Sequence, residues 1–186
     1  PAAQNPAAGK FADVADTAWY KEAVYYVADK GYFKGTSDTL FSPDVTMTRA
    51  MFATVIGRMA GVDESKYSGS AFSDVPEGQW YSAYIKWASE NDIVNGVGGG
   101  KFEPDTKITR EQMAAMMYRY AKFAGVDLTS AAATDATAFN AFADRDSVSA
   151  YAKDAMIWAT AKGIINGNGT GLAPKSDATR AQVAQI

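Results

Sequence analysis

Three Thr-Arg pairs are the residues of this sequence best placed to do chemistry: Thr48-Arg49, Thr109-Arg110 and Thr179-Arg180. A threonine hydroxyl is a good helix N-cap, and an arginine directly after it falls in the first helical turn. There, free N–H groups and the positive end of the helix dipole join a planar guanidinium that pairs with carboxylates or phosphates. A cation at that place also opposes the dipole, at a cost of roughly 0.3–1 kcal/mol when exposed. Incurring that cost in three places points to a compensating gain. Two gains fit the residues equally well: capture of an anionic group, or a bridge from each arginine to an aspartate of a neighbouring unit.

Other polar and aromatic residues recur beside these pairs. Trp19 and Trp80 have rings that could stack on a flat ligand face or serve as core knobs. Asp13, Asp74 and Asp144 could hydrogen-bond hydroxyl groups, or act as caps and turn residues. Gly35, Gly96 and Gly98 could let main-chain N–H groups approach a ligand, or end helices. The run Gly96–Gly100 is too short and misplaced for a nucleotide-binding loop, and Asp38 to Asp44 lacks the oxygen spacing of a calcium loop.

Composition narrows the chemistry further. The 186 residues contain neither histidine nor cysteine, which removes hydrolase triads, ordinary zinc sites and disulfides. The sequence therefore points to no catalytic residue, no metal and no cofactor. A net charge of −3 provides no basic face for nucleic acid and no polybasic membrane anchor. No apolar run reaches the roughly 20 residues needed to insert across a bilayer. The polar, Ala/Pro-rich opening resembles the start of a mature exported protein, and the abrupt end within a helix pattern reads as a piece of something larger.

The residues above are positioned by an internal repeat. Phe11-Ala-Asp13, Phe72-Ser-Asp74 and Phe142-Ala-Asp144 open three units, and the step from that Phe to the Arg is 38 residues in each. Between them lie Trp19-Tyr20, Trp80-Tyr81 and Ala150-Tyr151, then the motifs ending at Gly35, Gly96 and Gly167, then Phe41-Ser-Pro43, Phe102-Glu-Pro104 and Leu172-Ala-Pro174. The third unit gains one residue before its glycine motif and loses one after it.

Each unit reads as helix, irregular loop, helix, so the fold class is all-α. Tyr20, Val24 and Val27, and likewise Tyr81, Ile85 and Ala88, form stripes at helical spacing. Tyr26, Trp87 and Trp158 form a second column, read as core. The second helices start at the caps Thr48, Thr109 and Thr179, with capping boxes reaching Gln112 and Gln182. The organisation is a lead at 1–10, repeat 1 at 11–61, a linker at 62–71, repeat 2 at 72–125, a flexible or loosely helical linker at 126–141, and repeat 3 at 142–186 with its last helix truncated. One such unit cannot bury its apolar face alone. Three sharing a core favour closure about a pseudo-threefold axis over an open array with two apolar ends.

The order Phe-x-Asp-Val, Trp-Tyr, glycine loop, Phe-x-Pro-Asp, Thr-Arg resembles the S-layer homology (SLH) domain. It is carried by Phe11–Val14, Trp19, Gly35, Phe41–Asp44 and Thr48-Arg49, and by Phe72–Val75, Trp80, Gly96, Phe102–Asp105 and Thr109-Arg110. The resemblance implies a three-pronged spindle with a shared helical core and grooves between repeats. It implies secretion to the surface of a Gram-positive cell and non-covalent anchoring to secondary cell wall polysaccharide, through a pyruvylated amino sugar such as pyruvylated N-acetylmannosamine. S-layer lattice partners would then act through the remainder of the protein.

The resemblance also tips Arg49, Arg110 and Arg180 toward binding the ketal carboxylate. Exchange of Arg49 and Arg110 for alanine should then abolish binding and leave melting nearly unchanged. Unit 3 departs from the pattern at Arg145, Ala150 and Lys175, which predicts a weaker or empty groove there. The rival readings are a protein–protein interaction array, which would present an apolar concave face, and a glycosidase, which needs one asymmetric carboxylate pair rather than repeated acids.

Overall fold

The computed structural model describes residues 10–169 and 171–186. The lead assigned to 1–10 lies, but for Lys10, outside the described residues. Unit 1 contributes α1 (Lys21–Asp29) and α2 (Arg49–Met59), and unit 2 contributes α3 (Ser82–Glu90) and α4 (Arg110–Phe123). Two one-turn helices follow, α5 (Ala131–Thr134) and α6 (Thr137–Asn140), before α7 (Lys153–Ala161) and α8 (Arg180–Ala184) of unit 3. There is no strand among the described residues.

The first helix of each unit is held by its apolar stripe: Val24 and Val27 in α1, Ile85 and Ala88 in α3, and Ala155, Met156 and Ala159 in α7 are all buried. A left-handed residue ends each of these helices: Gly31, Asp92 and Gly163 at φ 73°, 56° and 66°. Each second helix starts where its threonine hydroxyl accepts a main-chain N–H, from Met51, Gln112 and Gln182 respectively. At Thr109 and Thr179 the glutamine side chain returns the bond to the cap N–H.

Between its helices each unit is clamped by the opening aspartate. Asp13 accepts from the N–H groups of Phe41 and Ser42 at 2.8 and 2.7 Å, Asp74 from Phe102 and Glu103, and Asp144 from Leu172 and Ala173. These pairs hold Ser42, Glu103 and Ala173 at φ 58°, 56° and 48°, a left-handed conformation that is unfavourable for residues with a Cβ. Burial acts to raise the Asp74 carboxyl, but the N–H groups of Phe102 and Glu103 outweigh it and hold the group below its usual range. For Asp144 the Leu172 N–H is the main cause of a shift in the same direction.

A carboxylate depressed in the folded state contributes stability that is present above its unfolded pKa, near 4, and is lost as pH falls through the folded value. The urea midpoint should therefore hold steady above about pH 5 and decline below it. In Asp144→Asn the midpoint should be lower at pH 7 and its acid slope shallower. An unchanged slope would remove the clamp from this role.

The three units are joined by main-chain bonds running in a cycle. The N–H of Ile108 donates to Met47 O at 2.9 Å, Ala178 to Ile108 O at 3.0 Å, and Met47 to Ala178 O at 2.9 Å. All three residues are buried. Each junction is widened by the first N–H groups of the second helix. Arg49 and Ala50 donate to Thr106 O and Pro104 O, Arg110 and Glu111 to Ser176 O and Pro174 O, and Arg180 and Ala181 to Val45 O and Pro43 O. Phe41, Phe52, Ile56, Phe102, Met113, Met156 and Leu172 are fully buried in one continuous core drawn from all three units.

Two expectations need correction. Trp87 and Trp158 are buried, but Tyr26 is exposed, with Lys30 against its ring, so that column is not uniformly core. The 126–141 segment is helical in two short turns, in keeping with one alternative, but not a free crossing: α5 and α6 both pack on α7, and Leu128, Ala133 and Phe139 are buried.

Candidate functional site

The arginines of the Thr-Arg pairs do not project freely into a cleft. Arg49, Arg110 and Arg180 are only 3%, 6% and 7% exposed. Each spends its Nε and Nη2 donors on two carbonyls of the following unit, in cyclic order. Arg49 donates to Phe102 O and Asn95 O at 2.8 and 3.2 Å, Arg110 to Leu172 O and Asn166 O at 2.7 and 3.0 Å, and Arg180 to Phe41 O and Lys34 O at 2.7 and 2.8 Å. Arg49 lies 4.5 Å from the Phe102 ring centroid and Arg180 4.6 Å from that of Phe41. Burial pushes the pKa of all three guanidiniums down.

Three expectations change with this geometry. The Nε–Nη2 fork is occupied by main chain and cannot grip a carboxylate. The helix N–H groups are spent on the neighbouring unit and are not open to a ligand. The bridge runs to carbonyls and not to the aspartates, which are used within their own units. The unfavourable dipole position is thereby explained, since each arginine ties its unit to the next. Nη1 makes no hydrogen bond, yet no arginine nitrogen is both buried and unpaired among the described residues. That nitrogen is the edge each guanidinium turns to the outside.

The glycines have a steric role. A Cβ on Gly35 would stand 2.3 Å from Ser37 O and 2.9 Å from the Phe11 ring, and one on Gly96 2.5 Å from Lys101 O and 2.9 Å from Phe72. Gly167 meets Phe142 in the same way. These glycines let the loop fold onto the opening phenylalanine and do not end a helix. Gly98, at φ 112°, shapes the tight turn to Lys101.

Three grooves recur around the cycle, and each has walls from all three units. The first, of about 300 Å³, has the loop Lys34–Thr36 and the α2 residues Met51, Val55 and Arg58, with Arg180 of unit 3 and Trp80 of unit 2. The second, of about 410 Å³, has Asn95–Val97 and the α4 residues Gln112, Met116 and Arg119, with Arg49 of unit 1 and Tyr151 of unit 3. The third, also about 410 Å³, has Ile164–Asn168, Gln182 and Gln185, with Arg110 of unit 2 and Trp19 of unit 1. Trp19, Trp80 and Tyr151 are 64%, 51% and 55% exposed, so these rings are not core knobs.

Tyr151 is the residue the sequence reading missed, and Ala150 is not the counterpart of the tryptophans. Trp19, Trp80 and Tyr151 each stand 16 residues before Gly35, Gly96 and Gly167, because the extra residue of unit 3 precedes Tyr151. The residue after each, Tyr20, Tyr81 and Ala152, is the N-cap of α1, α3 and α7. Another departure in unit 3 is compensated by one in unit 2. Lys175, where Asp44 and Asp105 stand in units 1 and 2, reaches Glu111 at 2.5 Å, and Glu111 stands where Ala50 and Ala181 do. Glu111 is buried and also accepts from Ser149 and from the Tyr151 hydroxyl at 3.2 Å. Burial and that carboxylate push the Tyr151 phenol up to about 12, so it remains a neutral donor.

An all-helical chain of three equivalent units, bonded in a cycle with an aromatic and a guanidinium edge in every intervening groove, is a repeat module and not a single-cleft domain. It belongs to the S-layer homology domain family, whose pattern matches residues 10–53, 71–114 and 141–184. The chain is similar to S-layer protein sap of Bacillus anthracis, at 32% identity over 97% of this chain and 21% of that protein. It is also similar to exoglucanase XynX of Acetivibrio thermocellus, at 36% identity over 95% of this chain and 16% of the relative. A third relative is the amylopullulanase of Thermoanaerobacterium thermosulfurigenes, at 33% identity over 95% of this chain and 9% of the relative. The chain thus spans about a fifth or less of the length of these relatives. Family membership, together with S-layer and cell-surface relatives, makes it an anchoring module for the cell wall within a secreted, surface-associated protein.

Proposed function

We propose that the three units, 11–61, 72–125 and 142–186, close as a three-pronged spindle and bind secondary cell wall polysaccharide in the grooves between them, without catalysis. The terminal residue bound is a pyruvylated amino sugar, such as pyruvylated N-acetylmannosamine. One observation carries this reading: the same set of wall elements, contributed in the same cyclic order, recurs in all three grooves. The cycle of bonds through Met47, Ile108 and Ala178 supports the spindle.

Within each groove the exposed ring of Trp19, Trp80 or Tyr151 stacks on the apolar face of the sugar. The free Nη1 edge of Arg110, Arg180 or Arg49 donates to the ketal carboxylate. The glycine loop contributes main chain at the groove floor. In the second and third grooves the Gln112 and Gln182 amide oxygens serve the caps, which leaves their NH₂ groups as donors for sugar hydroxyls.

Co-sedimentation of the chain with purified wall polysaccharide, before and after removal of pyruvate, tests the assignment. Retention should fall at least about tenfold with loss of the carboxylate, equivalent to about 1.4 kcal/mol. Equal retention on both preparations would remove the arginine edge from recognition. No retention on either would favour a protein partner.

A further inference from the structure

We infer that the second groove takes two consecutive residues of the glycan, the second of them in a hollow adjoining the terminal-sugar site. This rests on the carbohydrate reading above and extends it. The hollow, about 510 Å³, is lined by Asn91, Asp92, Asn95, Arg119, Lys122 and Phe123. Asn95 and Arg119 also line the second groove, so the two spaces adjoin at these side chains. A polymer held by its terminal residue must leave the groove in some direction, and this is an open one.

The lining suits a sugar. Phe123 is half exposed, and its ring is fixed edge-on to Trp87 at 5.5 Å and stacked with Tyr120 at 6.4 Å. It therefore forms a rigid platform for the apolar face of a pyranose. The Asn95 and Asp92 side chains are exposed beside it and supply amide and carboxylate partners for hydroxyls. Arg119 is partly buried and makes no hydrogen bond or ion pair among the described residues, so its donors are unspent where the two spaces adjoin. The platform exists because α4 runs 14 residues against 11 in α2, which carries Lys122 and Phe123 into the wall. The counterparts in unit 1 are Gly61 and Val62, which offer neither a ring nor a charge.

Calorimetric titration of the whole chain with pyruvylated N-acetylmannosamine, and separately with a wall-polysaccharide fragment of two or more residues ending in that sugar, tests the hollow. One site per chain should bind the fragment about tenfold more tightly than the monosaccharide. Phe123→Ala and, independently, the surface variant Lys122→Glu should each reduce that gain and leave monosaccharide affinity unchanged. Equal affinity for the two ligands, or a gain that survives both substitutions, would overturn the second subsite alone. Failure of the monosaccharide to bind at all would overturn the carbohydrate reading.

Discussion

Arg110→Ala should lower the free energy of unfolding by about 3 kcal/mol, the sum expected when one buried and one part-buried carbonyl lose charged donors. Both Leu172 O and Asn166 O belong to unit 3, so the substitution weakens the junction between two units rather than a local contact. For a domain of this size the melting temperature should drop by about 6–12 °C. Arg110→Lys should recover little of this, since one ammonium cannot reproduce the planar pair of donors. Arg119→Ala provides the comparison: its guanidinium has no hydrogen bond to lose among the described residues, and its melting curve should move by less than about 2 °C. Differential scanning calorimetry on the three variants reads the contrast directly. An Arg110→Ala curve superimposed on that of the parent would contradict the assignment of this arginine to the unit junction. The consequence for binding studies is practical. Loss of affinity in such a variant cannot be credited to the groove until its fold has been verified, contrary to the expectation that melting would be untouched.

The aromatic triple variant, Trp19→Ala with Trp80→Ala and Tyr151→Ala, should have the opposite profile. All three rings are more than half exposed. Among the described residues their ring and hydrogen-bond partners are an edge-on neighbour for each tryptophan, Tyr20 or Tyr81, and Glu111 for the Tyr151 hydroxyl. Stability should therefore change little. Each ring stacked on a sugar is worth about 1–1.5 kcal/mol, or roughly tenfold in affinity at its own groove. Retention on immobilised polysaccharide uses several grooves of one molecule together, so losses compound and should exceed about a hundredfold in the triple variant. Frontal affinity chromatography with the single, double and triple variants would show whether the steps accumulate. Undiminished retention in the triple variant would remove stacking from the mechanism.

The units, their helices and their caps were legible in the sequence because local chemistry encodes them: a threonine before an arginine, an apolar residue every third or fourth place, a glycine at a helix end. The destination of the arginines was not legible. Their partners are carbonyls of Phe102, Asn95, Leu172, Asn166, Phe41 and Lys34, and a carbonyl carries no signature of residue type. The aspartates misled for a related reason. Asp13 and Asp74 do bond polar partners, but these are main-chain N–H groups of their own loops. Tyr151 could have been found by counting back from Gly167 instead of forward from Phe142, since the length change lies between that phenylalanine and the ring. The packing of 126–141 was hidden because alanines and threonines carry no strong periodic stripe, and Leu128 and Phe139 are the large residues buried there beside Ala133.

The bond from Met47 to Ala178 has a bearing on how the molecule is assembled. The other two links in that cycle join residues about 60–70 positions apart, whereas this one spans about 130. Contacts that distant in the chain carry the largest loop-closure cost and form late. The first unit must keep its Met47 N–H and its Val45 and Pro43 carbonyls without their partners until the last unit has emerged and docked. A version with one unit deleted would lose two junctions at once and strand the remaining pair as a half-open clasp, so three is the smallest number that locks.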